Sequence, residues 1–476
     1  MSSSEARIDR LEHQVELLLA KVEAQAERIA VLGTENTKLR ADNADLRRRL
    51  GENSSNSNKP PSSDPPGQRE GRTKPTPSGR APGGQPGHKG NRRALLPASK
   101  VTHSSECYPS ECRRCGTELP RQPDADPLRH QVIDVPKIDA DVHEFRQHRV
   151  TCPCGAITCG ELPSGTPAGL FGPRLLTLIA VLTGSMHVSR RKVQLLLADL
   201  LGIEVSLGCI SESEAVVSDA VAAAVDEARV HALADRVKHV DATTWYQAGA
   251  YRSLWVLATK AVTVFYVAAN GTEVALRKWL SEVRGILVTD RGSQFGFWAM
   301  KRRQICWAHL VRKFAAYETR GGDAGRVGAL LLLWSGMVLH HWHEVRAGTI
   351  TRARFRTEVA PLRAVIERVL EQGTALSGIG GSCRDILNHR AALWTFVDKL
   401  GIDPTNNHAE RELRGFVLWR KLTFGSRSER GTRFAANLKS VVHTCRKQRR
   451  HVFDYLTHAI QASLRNRNAP SLLAAT

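Results

Sequence analysis

A heptad repeat through the first fifty residues constrains the fold of this chain most strongly. Its two core positions are mostly apolar over six heptads, and asparagine interrupts the first position twice. The first position holds Ile8, Val15, Val22, Ile29, Asn36, Asn43 and Leu50, and the second holds Leu11, Leu18, Gln25, Leu32, Leu39 and Leu46. β-Branched residues at one position with leucine at the other favour a parallel two-stranded coiled coil, in which buried asparagines fix the register. We therefore predict a coiled-coil helix over residues 1–50 that makes a homodimer or higher oligomer; the alternative is one amphipathic helix that lies on its own chain.

Length and charge indicate several modules and a polyanionic partner. At 476 residues the chain is long enough for about three domains. Its formal net charge is +21, and residues 401–476 hold 14 Lys or Arg against 5 Asp or Glu. Double-stranded DNA is the simplest partner for such a charge, and a basic surface kept only for solubility is the alternative.

The longest apolar runs are too short for a membrane protein. They cover residues 175–183 and 329–339, whereas a transmembrane helix needs about 20 apolar residues. We therefore predict two buried helices and no membrane partner. The chain has no recognisable signal peptide, and its ten cysteines are too few for a disulfide scaffold. These features predict a cytoplasmic protein.

Residues 51–98 are predicted to be a flexible basic linker. They are rich in Ser, Pro, Gly and basic residues and have almost nothing to bury. A solvated tether is the expected role, and binding of the basic side chains to phosphates is the alternative.

Clustered cysteines predict a small zinc-binding domain over residues 99–163. Cys112 and Cys115 have the spacing of a turn that presents two thiolates to zinc, and Cys152 and Cys154 form a second pair. That pair has one spacer residue where two are usual, so the fourth ligand stays open between Cys154 and Cys159. Two segments between the pairs have strand patterns and would make the domain a zinc ribbon, namely residues 130–135 and 142–149. The alternative is free thiols in a small β domain.

Residues 164–232 have helical periodicity and predict a helical domain, and the pattern is compatible with a helix-turn-helix that binds DNA. Ser189 begins a pattern that runs to Leu201, Gly202 marks a turn, and Ser206 begins the next helix. Any small helical bundle gives the same pattern, so a packing role is the alternative.

The pattern changes to strands after residue 232. Three hairpin-connected strands, one helix and two further strands are predicted, over residues 237–243, 253–259, 262–268, 272–284 (the helix), 285–290 and 304–308. This is the order of an RNase H-like sheet, in which the first and fourth strands lie side by side. We therefore predict an RNase H-like α/β catalytic core over residues 233–430 within a multidomain α+β chain.

The remaining segments are predicted to be helical. A helical insertion occupies about residues 318–400 and is too long to be a loop, and residues 431–476 form a basic C-terminal helical element. Cys306 and His309 have the spacing of zinc ligands, but no second pair accompanies them. We interpret Cys306 as a core cysteine and His309 as a histidine with satisfied hydrogen bonds.

Three carboxylates would meet at the edge of this sheet. Asp241 lies in the first strand and Asp290 ends the fourth, and a buried aspartate is costly unless it is paired or binds metal. The third carboxylate, Glu410, lies on a later helix. Glu412 is about 200° from Glu410 around the axis of that helix, so its side chain points away from the site. Oxygen ligands alone suit magnesium or manganese. The alternatives are aspartates that only end strands and a Glu410 that only closes a capping box with Asn407.

Together these motifs resemble the insertion-sequence-66 family of bacterial transposases over nearly the whole chain. The resemblance is carried by the zipper, the cysteine ribbon and residues 58–64, 83–88, 239–243, 306–309, 404–411, 420–421 and 424–426. Many relatives have glutamate after the first catalytic aspartate where this chain has Ala242, whose side chain faces away from its neighbour's on a strand.

The resemblance implies a DDE transposase with Asp241, Asp290 and Glu410 as its acidic triad. Two-metal phosphoryl transfer would cleave the ends of an insertion sequence and join the freed 3′-hydroxyls to target DNA. Four basic residues beside Glu410 would hold DNA phosphates, namely Arg411, Arg414, Arg420 and Lys421. The resemblance also implies accessory proteins from the same element and a cytoplasmic, nucleoid-associated bacterial protein.

Two other functions fit parts of the sequence. A DNA-binding regulator with a zipper and a zinc ribbon but no catalysis accounts for the charge and leaves the three carboxylates unexplained. An RNase H-like nuclease without strand transfer uses the same carboxylates, and only joined DNA products distinguish it from a transposase.

Overall fold

The computed structural model describes residues 5–53, 64, 94–281 and 284–473, and most of the linker predicted over residues 51–98 lies outside them. The described residues form a mixed α+β fold, so the α+β fold class is confirmed. The helices are α1 (Glu5–Leu50), α2 (Pro173–Ala180), α3 (Arg190–Leu201), α4 (Leu207–Ala234), α5 (Glu273–Leu280), α6 (Trp307–Glu318), α7 (Gly322–Ala347), α8 (Arg352–Gly373), α9 (Gly380–Asn388), α10 (Arg390–Leu393), α11 (Thr395–Asp398), α12 (Asn407–Thr423), α13 (Glu429–Lys447) and α14 (Val452–Leu464). The strands are β1 (Arg149–Thr151), β2 (Ile157–Cys159), β3 (Val237–Gln247), β4 (Ala250–Ala258), β5 (Thr263–Ala268), β6 (Ile286–Thr289) and β7 (Arg303–Ile305).

The N-terminal heptads form one continuous helix of 46 residues, α1. From Leu11 onward, every residue at a heptad core position is exposed in the single chain, including Leu18, Leu32 and Leu39 at 60%, 54% and 67%. The long helix confirms the helical part of the prediction, and the second strand of the coiled coil stays a prediction.

The chain forms two compact units, one of residues 1–69, 145–195 and 205–476 and the other of residues 70–144 and 196–204. In the smaller unit, no strand forms over residues 130–135, so that prediction is wrong. Val132 and Val135 are exposed there, while the Gln131 side chain donates to and accepts from the backbone of Leu96. The alternating pattern gives no strand because no second strand pairs with it.

A small hairpin, β1–β2, lies in the larger unit and pairs Arg149 with Cys159 and Thr151 with Ile157. The strand predicted over residues 142–149 is therefore displaced toward the C-terminus, and only its last residue belongs to β1. Pairing across the turn at Cys152 fixes the position of this hairpin.

The main sheet has the strand order β5-β4-β3-β6-β7, and every strand predicted between residues 237 and 308 is present. β3, β4 and β5 pair antiparallel, whereas β6 pairs parallel with both β3 and β7. β7 ends earlier than predicted because Cys306 is already the N-cap residue of α6. The first and fourth strands of the sheet, β3 and β6, are neighbours, as predicted.

Two hydrophobic cores cover this sheet. The first joins the sheet to α2, α4, α12, α13 and α14, and Val221 of α4, Leu254 of β4 and Val441 of α13 are all buried in it. The second joins β6 and β7 to the helices from α6 to α11. Helices α4, α13 and α14 lie mostly or wholly outside residues 233–430, yet they share the first core with the sheet. The boundaries predicted at residues 232 and 430 therefore do not separate one hydrophobic core from another.

The helices predicted around Gly202 both form. α3 ends at Leu201, Gly202 has a φ of 65°, and the Ser206 side chain caps α4 by accepting from Cys209 N–H over 3.1 Å. Because α4 is 28 residues long and buries Val221 in the core of the sheet, packing is its principal role. Recognition of a DNA sequence by residues 164–232 stays a prediction.

α7 is long and apolar enough to span a membrane by length and composition, and it is the one such helix in the described part of the chain. Val327, Leu331 and Val338 are buried against the neighbouring helices of the second core. Leu330 and Leu333 are exposed, so the run over residues 329–339 is buried on one face only.

Candidate active site

Asp241 lies within β3, and Asp290 directly follows the neighbouring strand β6. The parallel pairing of β3 with β6 ends at His239 opposite Val288, and each aspartate follows two residues later. The parallel pairing of the two strands therefore places the aspartates side by side, and the charge of Asp290 acts on Asp241. Asp290 also shapes the next turn, because its Oδ1 accepts from Gly292 N–H over 2.9 Å.

The loop before α12 is anchored to the start of α6 and to β3. Pro404 accepts a hydrogen bond from Trp307 N–H over 2.9 Å, and Asn406 N–H donates to Cys306 Sγ over 3.1 Å. The buried Asn406 side chain donates from Nδ2 to the carbonyl oxygen of Val240 over 2.9 Å. Since Val240 precedes Asp241, these contacts place the start of α12 beside the aspartates.

Glu410 lies in the first turn of α12 and does not cap it. Its Oε1 is buried with no hydrogen-bond partner, and the N-cap residue Asn406 makes no side-chain capping bond. The capping-box alternative is therefore wrong. His309 Nδ1 and Arg312 each lie 3.7 Å from Glu410 Oε1, which is too far for a hydrogen bond.

The three carboxylates interact electrostatically. Burial, together with the charges of Asp290 and Glu410, raises the pKa of Asp241 to about 8. A pKa raised in this way is typical of carboxylates that share one site, because like charges so close together cannot all be ionised. Because Glu410 Oε1 is buried without a hydrogen bond and all three donors are oxygens, the residues fit a hard divalent cation such as magnesium or manganese.

Cys306, His309 and Glu410 form a second set of potential ligands, whose ligand atoms lie within 4.8 Å of one another. Cys306 is buried, as predicted for a core cysteine. The prediction for His309 is wrong, because its Nδ1 is buried without a hydrogen-bond partner. Burial and the charge of Arg312 lower the pKa of His309, so its ring stays neutral beside Glu410 at neutral pH.

Glu412 lies on the face of α12 opposite to Glu410 and contacts a cluster of basic side chains. This cluster was not predicted from the sequence. Glu412 accepts hydrogen bonds from His443 over 2.5 Å and Lys447 over 3.1 Å, and His408 lies 3.6 Å away. Burial alone would raise the pKa of Glu412, but the nearby His408, the hydrogen bond with His443 and the charge of Lys447 prevail and lower it. In the sequence, the i,i+4 spacing of His408 and Glu412 indicates that these two side chains are neighbours on one face of a helix.

This cluster continues to β3 next to Asp241. His408 stacks on His239 with ring centroids 5.0 Å apart, and His239 Nδ1 lies 3.2 Å from the Asn406 amide oxygen. Burial lowers the pKa of His239 to about 4. α12 is therefore fixed on one face by Glu412 while Glu410 projects from the other toward the aspartates.

The four basic residues predicted to bind phosphates fall into two groups. Arg411, Arg414 and Lys421 are exposed on α12. Arg420 is half-buried, and its guanidinium donates to Thr243 Oγ1 over 3.2 Å and to the carbonyl oxygen of Thr244. Arg420 therefore ties α12 to β3 beyond Asp241.

The predicted zinc ligands lie in two turns of similar design. In the smaller unit, Cys112 N–H donates to Thr117 O over 2.8 Å and Gly116 N–H donates to Cys112 O over 2.9 Å. Hydrogen bonds from Thr117 lower the pKa of Cys115 in this turn to about 7.

The turn in the larger unit repeats the arrangement with one residue fewer. Cys152 N–H donates to Ala156 O over 2.7 Å, and Gly155 N–H donates to Cys152 O over 2.8 Å. Hydrogen bonding from the Ala156 backbone and from Cys152 lowers the pKa of Cys154. Cys159 lies outside this turn, on β2.

The N-terminal part of the chain matches a described family, and one curated relative covers a smaller part. Residues 2–94 match the model of a family of unknown function, DUF6444. An uncharacterized protein of Sinorhizobium fredii (strain NBRC 101917 / NGR234), y4qI, is 28% identical over 161 residues, which are 33% of this chain and 30% of that protein. The chain thus spans less than a third of that relative.

A second match covers the sheet and the residues described above. Residues 168–434 match the family model described as Transposase IS66 family, which is more than half of the 476 residues. The matched segment contains Asp241, Asp290 and Glu410, together with the loop that anchors α12. This chain therefore belongs to the IS66 family of transposases.

Proposed function

We propose that this chain is a DDE-type DNA transposase that binds the ends of an insertion sequence, cleaves them and joins the 3′-ends to target DNA. The observation that supports the proposal is the proximity of Asp290 and Glu410 to the buried Asp241, with Glu410 Oε1 buried and without a hydrogen bond. Family membership supplies the transposase role and DNA as the substrate. The proposal places the protein in the bacterial cytoplasm, on nucleoid DNA.

The order of the sheet supports an RNase H-like catalytic core. Three antiparallel strands, β3 to β5, precede a helix and two parallel strands, β6 and β7. In this arrangement the first and fourth strands are central neighbours, and ligands in mixed sheets bind outside the carboxyl ends of such strands. The helical segment from α7 to α11 follows β7 and α6 and precedes α12, so Glu410 returns to the sheet after a helical insertion.

Asp241, Asp290 and Glu410 would hold divalent magnesium or manganese. Such ions, when bound, activate an attacking hydroxyl and neutralise charge on the leaving oxygen. Water would attack the phosphorus at the element end, and the broken bond would release a 3′-hydroxyl. That hydroxyl would attack a target phosphorus and form a new phosphodiester bond. The target's bond between that phosphorus and its own 3′-oxygen would break, and the leaving 3′-oxygen would take up the proton of the attacking hydroxyl.

The other residues around Glu410 would position the DNA and the helix. Arg411, Arg414 and Lys421 would hold phosphates, since they are exposed on the helix that carries Glu410. Arg420 would brace α12 against β3 instead, because Thr243 and Thr244 occupy its guanidinium. His309, whose pKa is lowered by burial and by the charge of Arg312, would lie beside Glu410 without forming a competing ion pair.

The N-terminal segments would assemble the protein on its ends. α1 would pair with a second copy through its exposed heptad stripe, making a dimer or higher oligomer. The turns with Cys112 and Cys115, and with Cys152 and Cys154, would bind structural zinc. Accessory proteins of the same element are further expected partners.

The test is metal-dependent cleavage and joining of a labelled duplex that carries the terminal repeat of the encoding element. Wild-type protein should give 3′-end nicks and joined products with magnesium, and the Asp241→Ala, Asp290→Ala double variant should give neither while still binding DNA. Glu371→Gln, an exposed carboxylate on α8, is the matched control and should retain both products. Nicks without joined products would favour a nuclease, and binding without any product would favour a regulator.

A further inference from the structure

The helix that carries Glu410 ends at Phe424 in a left-handed backbone conformation. Phe424 has φ 58° and ψ 24°, and its N–H donates to the carbonyl oxygen of Arg420 over 2.9 Å. Glycine or asparagine usually fills this position, because a bulky residue strains the left-handed region. Burial does not offset the strain, since Phe424 is 81% exposed. The fold therefore holds an aromatic ring in solvent in a conformation that disfavours it.

The residues after Phe424 are fixed on the β3–β4 hairpin. Gly425 has φ 92°, and a Cβ there would overlap the carbonyl oxygen of Tyr246. Ser426 N–H donates to that same oxygen over 2.9 Å, and Ser426 O accepts from Ala248 N–H over 2.8 Å. Trp245 Nε1 also donates to Ser426 Oγ over 3.2 Å. The position of the Phe424 backbone is therefore set by the sheet that carries Asp241.

The surface around Phe424 is cationic and contains a second exposed aromatic residue. Tyr251, which pairs with Tyr246 across the hairpin, is 69% exposed. Between Glu412 and Glu429 the chain has no Asp or Glu and four basic residues, Arg414, Arg420, Lys421 and Arg427. Exposed aromatic rings among cations are the surface that binds unpaired nucleic acid, because cations hold the backbone while rings stack on bases.

An exposed stripe of α12 connects Phe424 to the carboxylates. Arg411, Arg414, Leu418 and Lys421 follow one another at spacings of three or four residues, and all four are exposed. The helix from Glu410 to Phe424 is about 21 Å long at about 1.5 Å per residue. That length corresponds to about six base pairs of duplex. DNA whose scissile phosphate lies at Glu410 would thus reach Phe424 within the first turn of the double helix.

We propose that Phe424 stacks on an unstacked DNA base about six base pairs from the phosphate that lies at the carboxylates. The inference rests on the proposed function, since it takes DNA at Asp241, Asp290 and Glu410 as the substrate. Contact with DNA explains why strain at Phe424 persists without burial, because residues in strained conformations concentrate at ligand-binding sites.

The test uses the terminal-repeat duplex with 2-aminopurine placed singly at each position from about three to about nine base pairs from the cleavage point. Wild-type protein should increase 2-aminopurine fluorescence near position six, where the base leaves the stack. Phe424→Gly should lose this increase and weaken binding between about 5-fold and about 150-fold, the range for loss of one stacked base. Phe424→Trp should retain both, and Leu422→Ala, an equally exposed apolar neighbour at 67%, is the matched control.

Folding and chemistry are measured on the same variants. Phe424→Gly should melt no lower than wild type, because glycine adopts a φ of 58° without strain. Wild-type cleavage together with unchanged fluorescence and affinity in Phe424→Gly would overturn this inference and leave the proposed function standing. A Phe424-dependent fluorescence increase without any cleavage product would support the base contact and overturn the proposed chemistry. Absence of DNA binding by the wild type would overturn both.

Discussion

Asn406 and Val240 are joined by a 2.9 Å hydrogen bond from the asparagine Nδ2 to the valine carbonyl oxygen. Asn406 precedes the helix that carries Glu410, and Val240 precedes Asp241. The bond therefore fixes the separation between two carboxylates that are 169 positions apart in sequence. Because both partners are buried, water cannot replace the bond when one of them is removed.

Replacement of Asn406 by alanine should destabilise the protein and impair cleavage. The Val240 carbonyl and the His239 ring would lose their partner in a buried position, at a cost of about 1–3 kcal/mol. Urea denaturation followed by tryptophan fluorescence measures the free energy of unfolding. Asn407→Ala, at the exposed neighbouring position, should leave that free energy unchanged. Equal stability of the two variants would contradict the role given to Asn406.

Glu410→Gln and Glu412→Gln should have opposite effects. Glu410→Gln should abolish metal-dependent cleavage without lowering the free energy of unfolding, because Glu410 Oε1 has no hydrogen bond to lose. Glu412→Gln should lower that free energy by about 3 kcal/mol, since it leaves the largely buried Lys447 ammonium without a charged partner and weakens the hydrogen bond with His443.

The contribution of Glu412 to the free energy of unfolding should depend on pH. Its pKa in the folded state is lowered from 4.5, so the stabilisation is complete above pH 4.5 and declines as the pH falls below it. The difference between wild type and Glu412→Gln, measured by urea denaturation, should decline over the same range. A difference that grows on acidification would exclude the ion-pair assignment.

Asp241→Asn should stabilise the protein at high pH when magnesium is absent. Folding raises the pKa of Asp241 from 3.8 to about 8, so ionisation opposes folding and stability falls as the pH rises from 3.8 through 8. The melting temperature of the variant should exceed that of wild type at pH 8, and the two should converge near pH 4. Magnesium should stabilise the wild type but not Asp241→Asn, and the exposed Asp403→Asn should behave as wild type with and without magnesium.

Elemental analysis of protein purified without chelator should find about one zinc per chain. Cys112→Ser and Cys154→Ser should each reduce the zinc content, because each removes a thiolate from one of the two cysteine turns. Cys159→Ser separates the two possibilities for the fourth ligand and should retain zinc, since Cys159 lies outside the Cys152–Gly155 turn. Zinc loss in Cys159→Ser but not in Cys154→Ser would reverse that assignment.

Light scattering should give the mass of a dimer or higher oligomer for the full chain. The combination Leu18→Glu and Leu32→Glu should yield monomers, because it places charges at two heptad core positions. Leu17→Glu, which alters an equally exposed leucine beside the stripe, should leave the mass unchanged. A monomeric wild type would contradict the coiled-coil dimer.

The strands of the main sheet were predictable because each has a local signal. β3 to β7 are short apolar runs separated by turn residues, and that pattern depends on neighbours in sequence. The strand expected over residues 130–135 shows the limit of such signals. Its apolar residues suggested a strand, but a strand exists only where a second strand pairs with it.

The candidate site was predictable where chemistry is visible in residue type. An aspartate inside an apolar strand marks Asp241, and helical spacing separates Glu410 from Glu412. The roles of Asn406, His309 and Arg420 were not predictable, because their partners lie far away in sequence. Asn406 resembled a helix cap, yet its side chain bonds β3 instead.

The sequence by itself determined the heptad helix, the order of the strands, the identity of the three carboxylates and the positive charge. These depend on residue type and spacing, which local physical chemistry controls. Only the tertiary structure decided that Glu410 lies unbonded beside His309, that Glu412 fixes the opposite face of α12, and that Phe424 stands exposed in a left-handed conformation. Burial and long-range contacts control these features, and they arise only when the sheet and its helices pack together.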